Sequence, residues 1–295
     1  MTAAPAIEEG DSGIRPDMLN VIEALRRHFG HTSFRPGQED VVGAVLEGRD
    51  VLAVMPTGSG KSLGFQLPAV LLPGVTIVVS PLVALMKDQV DELTRRGIAA
   101  AALHSLASAD TRRAAIDTVR SGQLRLLYVA PERFAVPAFL RLLESLPVAR
   151  FVADEAHCVS EWGHDFRPDY RRLRDVAASC RRAEGHGRRP PIVALTATAT
   201  SEVRDDIVGL LGLAEPRVIV AGFDRPRIYP AVRPVSGEPE KQRLLPALVS
   251  GRRALVYAAA RARAETAAAV LQAAGIGGAA YHGRHARGGA HTRAG

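Results

Sequence analysis

The residues of this chain best suited to chemistry stand in two short runs. Residues 51–62 read Val-Leu-Ala-Val-Met-Pro-Thr-Gly-Ser-Gly-Lys-Ser, an apolar stretch leading into a glycine-rich turn that ends in Lys61-Ser62. Glycines at 58 and 60 let backbone N–H groups approach an anion closely. A helix starting after them presents the positive end of its dipole to the same anion. Such a loop cradles nucleotide phosphates. Thr57, Gly58, Ser59 and Gly60 form it, the Lys61 ammonium reaches the β- and γ-phosphates, and the Ser62 hydroxyl is placed to ligate Mg2+. The full spacing Gly-x-x-x-x-Gly-Lys-Ser/Thr fails at its first glycine, where Met55 stands. On this run alone, an ordinary strand–turn–helix stays open as the alternative.

The second run is residues 150–157, Arg-Phe-Val-Ala-Asp-Glu-Ala-His. An apolar strand ending in two carboxylates would lie beside the phosphate loop at the carboxyl edge of a parallel sheet. Asp154 is then placed to hold Mg2+ through water, and Glu155 to orient and deprotonate an attacking water. Two adjacent carboxylates stay ionised only with a cation nearby, which Lys61 and Mg2+ supply. A lone Asp-Glu is more often a solvated turn; the upstream phosphate loop favours the hydrolytic reading.

The surrounding pattern supplies the elements to position these groups. Leu19, Ile22, Leu25 and Phe29 mark a first helix that Gly30 ends, and residues 39–46 mark a second. Apolar runs follow at 51–54, 75–79, 124–129, 150–153, 192–195 and 217–220, with helical segments such as 82–96, 109–119 and 201–211 between them. Near-continuous apolar strands alternating with helices predict an α/β layered domain over residues 20–220, with a parallel sheet covered on both faces.

The 295 residues, 47% of them hydrophobic, can bury a core without staples. Two cysteines, Cys158 and Cys180, are too few for a disulfide framework and suit a reducing compartment. No membrane span or secretory leader is legible, so a cytoplasmic protein without a membrane partner is expected. A net charge of +7 leans weakly towards a polyanionic partner. Residues 1–15 read as a disordered tail, residues 16–221 as the main domain, and the proline-rich residues 222–250 as a linker. Beyond it, residues 253–257 read as a strand, 260–274 as a helix and 278–281 as a strand. Residues 251–281 thus form only part of a second α/β domain, which takes roughly 100 residues when complete. Residues 282–295 are basic, lack large aliphatic side chains, and read as disordered.

Beyond these readings, the chain strongly resembles the RecQ family of superfamily 2 DNA helicases. The resemblance rests on Asp154-Glu155-Ala-His157 followed by Cys158-Val-Ser-Glu-Trp-Gly-His-Asp-Phe-Arg-Pro-Asp-Tyr170. Upstream, residues 29–38 and 55–69 match the family's adenine segment and phosphate loop. Residues 80–90, 127–134, 194–200 and 223–226 match four further segments in the family's order. The resemblance implies a RecA-like P-loop fold and an ATP- and Mg2+-dependent helicase. It would move 3′–5′ on single-stranded and partly duplex DNA in recombination and repair, at the nucleoid in a bacterium. It implies that Gln38 reads adenine, that Arg35 holds the base, and that His31 takes the place of a stacking aromatic. Trp162, His164, Phe166 and Arg167 would form the loop coupling DNA to hydrolysis. His157 would relay nucleotide state, Thr196 and Thr198 would act as a switch, and Ser80 and Lys87 would contact the single strand.

Ser59 departs from a glycine of the family loop, and Gly64-Phe65 from a Cys-Tyr pair. Residues 254–265 and 279–283 resemble the start of a second RecA-like lobe. The family's later Gly-Met-Gly and Gln-x-x-Gly-Arg-x-Gly-Arg segments, and its zinc module, are not in this sequence. The last residues read as a fragment end or frame change, or as a basic arm. ATP and single-strand binding with little unwinding is the expectation. Another superfamily 2 helicase acting on RNA, or a nucleotide-dependent DNA-binding module without turnover, are the rivals.

Overall fold

A computed structural model of the chain describes residues 18–104, 109–163, 165–183, 189–221 and 229–282. Expectations for residues 1–15, 223–226 and 283–295, and for His164, lie outside the described residues. The chain divides into two units, Met1–Asp224 and Arg225–Gly295.

The first unit is built on a parallel sheet of β1 (Val51–Val54), β2 (Val75–Val79), β3 (Ala100–Leu103), β4 (Leu126–Val129), β5 (Val148–Ala153), β6 (Ile192–Thr196) and β7 (Arg217–Val220), in the order β3-β4-β2-β5-β6-β1-β7. Every residue of β1, β2, β4, β5 and β6 is buried, as expected of strands covered on both faces. On one face, Leu52, Val54, Ile77, Val79, Phe151 and Ala194 pack against α5 (Ala109–Arg120), α6 (Pro137–Ser145), α7 (Leu173–Ser179) and α8 (Ser201–Leu211). On the other, Val51, Ala53, Val78, Val152 and Leu195 pack against α1 (Met18–Ala24), α2 (Gln38–Leu46), α3 (Leu63–Leu71) and α4 (Val83–Arg95). The expected doubly covered α/β sheet is the one observed.

Three details differ from the sequence reading. β3 is alanine-rich and carries no β-branched run, so propensity gave no sign of it. The first helix runs into a π-helical turn, Leu25–Phe29, closed by Gly30 at φ 71°. The buried face is therefore Val21, Ala24, Leu25 and Phe29, while Leu19 is 76% exposed. Finally, β5 is not the direct neighbour of β1; β6 is inserted between them.

In the second unit, residues expected as linker form the helix α9 (Glu238–Val249), and α10 (Arg261–Ala273) follows. Pro239 stands in the first turn of α9, where a helix tolerates proline, and Pro246 lies within it. From Glu238 the composition supports a helix, with acidic residues in the first turn where the dipole favours them. Residues 253–257 and 278–281 are irregular rather than strands. A strand needs a hydrogen-bonded neighbour, and these segments pair with no strand among the described residues. Leu255, Tyr257 and Tyr281 are correspondingly exposed. Among the described residues, no helix is long and apolar enough to cross a membrane.

Candidate nucleotide site and aromatic loop

The strand order β2-β5-β6-β1 brings four carboxyl ends side by side: Ser80 after β2, Asp154 after β5, Thr196 at the end of β6 and Met55 after β1. Met55 extends the ladder, its N–H donating to the Thr196 carbonyl at 2.9 Å, and its side chain is buried in the core. The position where the usual spacing asks for glycine is thus used for packing, and the turn begins one residue later. Gly58 and Gly60 have φ of 83° and 80°, a left-handed backbone that favours glycine. A Cβ on Gly60 would also lie 2.5 Å from Gln38 Nε2.

That contact ties Gln38 to the phosphate loop. Its amide Nε2 donates to the Ser59 and Gly60 carbonyls at 3.0 and 3.1 Å, and its Oε1 accepts the Arg35 N–H at 2.9 Å. Arg35 Nη1 donates to the Gly58 carbonyl at 3.0 Å. Arg35 and Gln38 thus brace three successive carbonyls of the phosphate loop, Gly58, Ser59 and Gly60. His31 and Thr57 are exposed.

Lys61 Nζ lies 3.7 Å from Glu155 Oε1, across the intervening β6. Glu155 has φ 48° and ψ 48°, an uncommon left-handed backbone for a side chain of this size. His157 Nδ1 is 3.4 Å from Glu155 Oε2 and 2.9 Å from Thr196 Oγ1. The Thr196 hydroxyl donates to the Thr198 carbonyl at 3.1 Å, which a neutral His157 with its proton on Nδ1 would complement. Lys61, Glu155, His157, Thr196 and the Thr198 backbone therefore form one continuous relay across three loops. The Thr198 side chain itself is exposed.

Asp154 is 7% exposed. Burial and the neighbouring Glu155 charge push its carboxyl up to about 6, with Lys61 opposing. Its Oδ2 accepts from Ser80 Oγ at 3.3 Å, and its backbone carbonyl from Tyr170 Oη at 2.8 Å. Ser80 is itself buried. A carboxylate so disfavoured when ionised suits a divalent cation. Mg2+ takes one or two protein oxygens, with water and substrate phosphate completing its shell. The Asp154 carboxylate and Ser62 hydroxyl fit that requirement. Among the described residues, no group of three or more His, Cys, Asp or Glu side chains is gathered for a metal.

The loop after the acidic pair lies directly on it. Arg167 N–H donates to the Cys158 carbonyl at 2.9 Å, and a Cβ on Gly163 would stand 2.2 Å from the His157 carbonyl. Only glycine permits that approach. Trp162 is 81% exposed. Phe166 is half-buried beneath the Arg171 guanidinium, 5.2 Å from its ring centre, and Arg167 pairs with Asp165 at 2.9 Å. Lys87, on α4, is exposed and 3.7 Å from Asp91. Sequence reasoning missed two supports of this loop. Ser160 Oγ donates to Asp206 at 2.6 Å and accepts the Trp162 N–H, and Tyr170 reaches Asp154. Each pairing links positions far apart in sequence, so neither had a local signal.

The family model described as DEAD/DEAH box helicase matches residues 35–206. The chain is 40% identical over 268 residues to "ATP-dependent DNA helicase RecQ" of Haemophilus influenzae, covering 91% of this chain and 42% of that protein. It is 42% identical over 225 residues to "Probable ATP-dependent DNA helicase RecS" of Bacillus subtilis, covering 76% and 44%. Among solved structures, the DUF1998 helicase MrfA bound to DNA matches with a TM-score of 0.62 at 19% identity, over 86% of this chain and 38% of that one. That likeness concerns the fold alone. The chain spans less than half the length of these relatives. The sheet order, the acidic pair at the end of β5 and these matches together place the chain in the DEAD/DEAH box helicases, and within them in the RecQ family.

Proposed function

We propose that this chain is the ATP-hydrolysing lobe of a RecQ-type DNA helicase that moves 3′–5′ on single-stranded DNA and opens duplex in recombination and repair. The observation that carries the reading is the unbroken relay from Lys61 through Glu155 and His157 to Thr196. It joins the phosphate loop, the acidic strand end and the end of β6.

In this reading the glycine-rich turn receives the phosphates on backbone N–H groups, and Lys61 neutralises developing charge on the transferred phosphoryl group. Glu155 orients the attacking water and accepts its proton. His157, bonded to Thr196 and 3.4 Å from Glu155, links the state of the carboxylate to the end of β6. Arg35 and Gln38 leave the loop carbonyls to hold the adenine. Mg2+, held by Ser62 and Asp154, offsets phosphate charge when bound. Trp162 and Phe166 offer stacking surfaces for unpaired bases, with Arg167 and Lys87 as phosphate contacts.

The test is phosphate release with and without a single-stranded oligonucleotide, alongside calorimetric ATP binding. Glu155→Gln should lower turnover about 10²–10⁴-fold while ATP affinity stays unchanged. A variant that hydrolyses like the parent refutes the role of Glu155. A parent that binds ATP and DNA without hydrolysing either way leaves a nucleotide-dependent binding module instead.

A further inference from the structure

The aromatic loop folds back on residues 157 and 158 through backbone. Arg167 N–H meets the Cys158 carbonyl, and Gly163 lies against the His157 carbonyl. One side chain goes further. Tyr170, three residues after Arg167 and fully buried, donates its hydroxyl to the Asp154 backbone carbonyl at 2.8 Å.

The place of that acceptor matters. The Asp154 carbonyl and the Glu155 N–H belong to one rigid peptide plane. The orientation of this plane relative to the Glu155 Cα is the φ angle of Glu155, which stands at 48°. A left-handed backbone at a non-glycine residue persists only where its surroundings hold it. Here three contacts hold it: Val79 O accepts the Asp154 N–H, Tyr170 holds the Asp154 carbonyl, and the Glu155 carbonyl accepts the Cys158 N–H. Tyr170 is the only one of the three contributed by the far end of the aromatic loop. The other polar anchor of the loop, Ser160 to Asp206, runs to α8 and bypasses the carboxylates.

We propose that Tyr170 is a positioning residue. Its hydroxyl ties the aromatic loop to the peptide plane that sets Glu155, and so couples a single strand on the loop to nucleotide at Lys61. This rests on the helicase reading above. A phenylalanine would fill the same space, so filling the core does not require the hydroxyl.

The test is a coupling measurement on the full chain and on Tyr170→Phe. The Kd for the magnesium complex of a non-hydrolysable ATP analogue is measured by calorimetry, with and without saturating oligo-dT. In the parent the two values should differ by about fivefold or more, the usual lower range for linked sites. In Tyr170→Phe the ratio should fall to within about twofold of unity, while each ligand alone binds as in the parent. A role confined to stability would lower the melting temperature and leave the ratio intact; measuring below the transition separates the two. Trp162, the single tryptophan, gives a second readout. Its acrylamide quenching should change on nucleotide addition in the parent and not in the variant. An unchanged ratio in Tyr170→Phe, or a parent ratio of one, overturns the proposal. A parent that binds neither ligand would fail the helicase reading itself, a distinct result.

Discussion

Removing the charge of Asp154 should stabilise the metal-free protein while disabling it. Its carboxyl is raised from the ordinary 3.8 to about 6 by burial and by Glu155. Between those values the folded form holds a proton that the unfolded form has released. This group's contribution to stability therefore falls as pH rises through the window and stays low above it. At about 1.4 kcal/mol per tenfold change, the cost of ionising Asp154 in the folded state reaches about 3 kcal/mol at neutral pH. Asparagine has nearly the same shape and keeps an oxygen for Ser80. Its amide N–H groups need acceptors, which removes about 1 kcal/mol of the gain. A net stabilisation of about 2 kcal/mol, or about 4–8 °C in Tm for a domain of this size, is the expected outcome for Asp154→Asn near pH 7.5. The assay is thermal unfolding followed by circular dichroism, in EDTA and without nucleotide. The gain should vanish between about pH 4 and 5 and turn into a loss of about 1 kcal/mol below about pH 3, where the carboxyl is largely protonated in both states and only the amide penalty remains. An asparagine variant less stable than the parent at neutral pH, or a gain that survives acidification, would refute the reasoning. The same variant should lose magnesium-dependent turnover, because it gives up the anionic oxygen a hard cation prefers.

Other outcomes follow from single contacts. Asp50 is buried at the foot of β1 and accepts two bonds from Arg189 and one each from the Ile192 and Ala214 N–H groups. Asp50→Ala strands all three partners and should cost about 3–5 kcal/mol in urea unfolding; a loss below about 1 kcal/mol would show that water replaces the carboxylate. Gly60→Ala places a methyl group 2.5 Å from Gln38 Nε2 on a left-handed backbone. The strained backbone should cost about 1–2 kcal/mol, or about 2–8 °C in Tm, and ATP affinity should fall about tenfold by calorimetry; parental Tm and affinity would mean the loop gives way freely. Trp162→Ala should weaken oligo-dT binding by about 1–3 kcal/mol and leave thermal stability unchanged, since the ring is 81% exposed. A melting temperature that drops with it would reassign the ring to packing.

The local features were legible because they are written in consecutive residues. The apolar runs that became β1, β2 and β4–β6 could be read directly, since strands buried on both faces must be apolar throughout. The phosphate loop, the acidic pair and the helix Ser201–Leu211 were readable for the same reason. β3 escaped because alanines pair as a strand only when β4 offers them a ladder. The helix at Glu238–Val249 was hidden by prolines before it and within it, at Pro239 and Pro246.

What the sequence determined by itself was an inventory: an anion-binding turn, two carboxylates at a strand end, an aromatic loop, and the alternation that fixes an α/β sheet. What the tertiary structure decided was who meets whom. The insertion of β6 between β1 and β5 put Thr196 within reach of His157 and completed the relay from Lys61. Packing turned Ser80 inward onto Asp154 and engaged Gln38 on the phosphate loop. Tyr170 found the one carbonyl that orients Glu155. These pairings join residues distant along the chain, and hydrogen bonds of this kind are set by distance and angle in space, which no local spacing of residue types encodes.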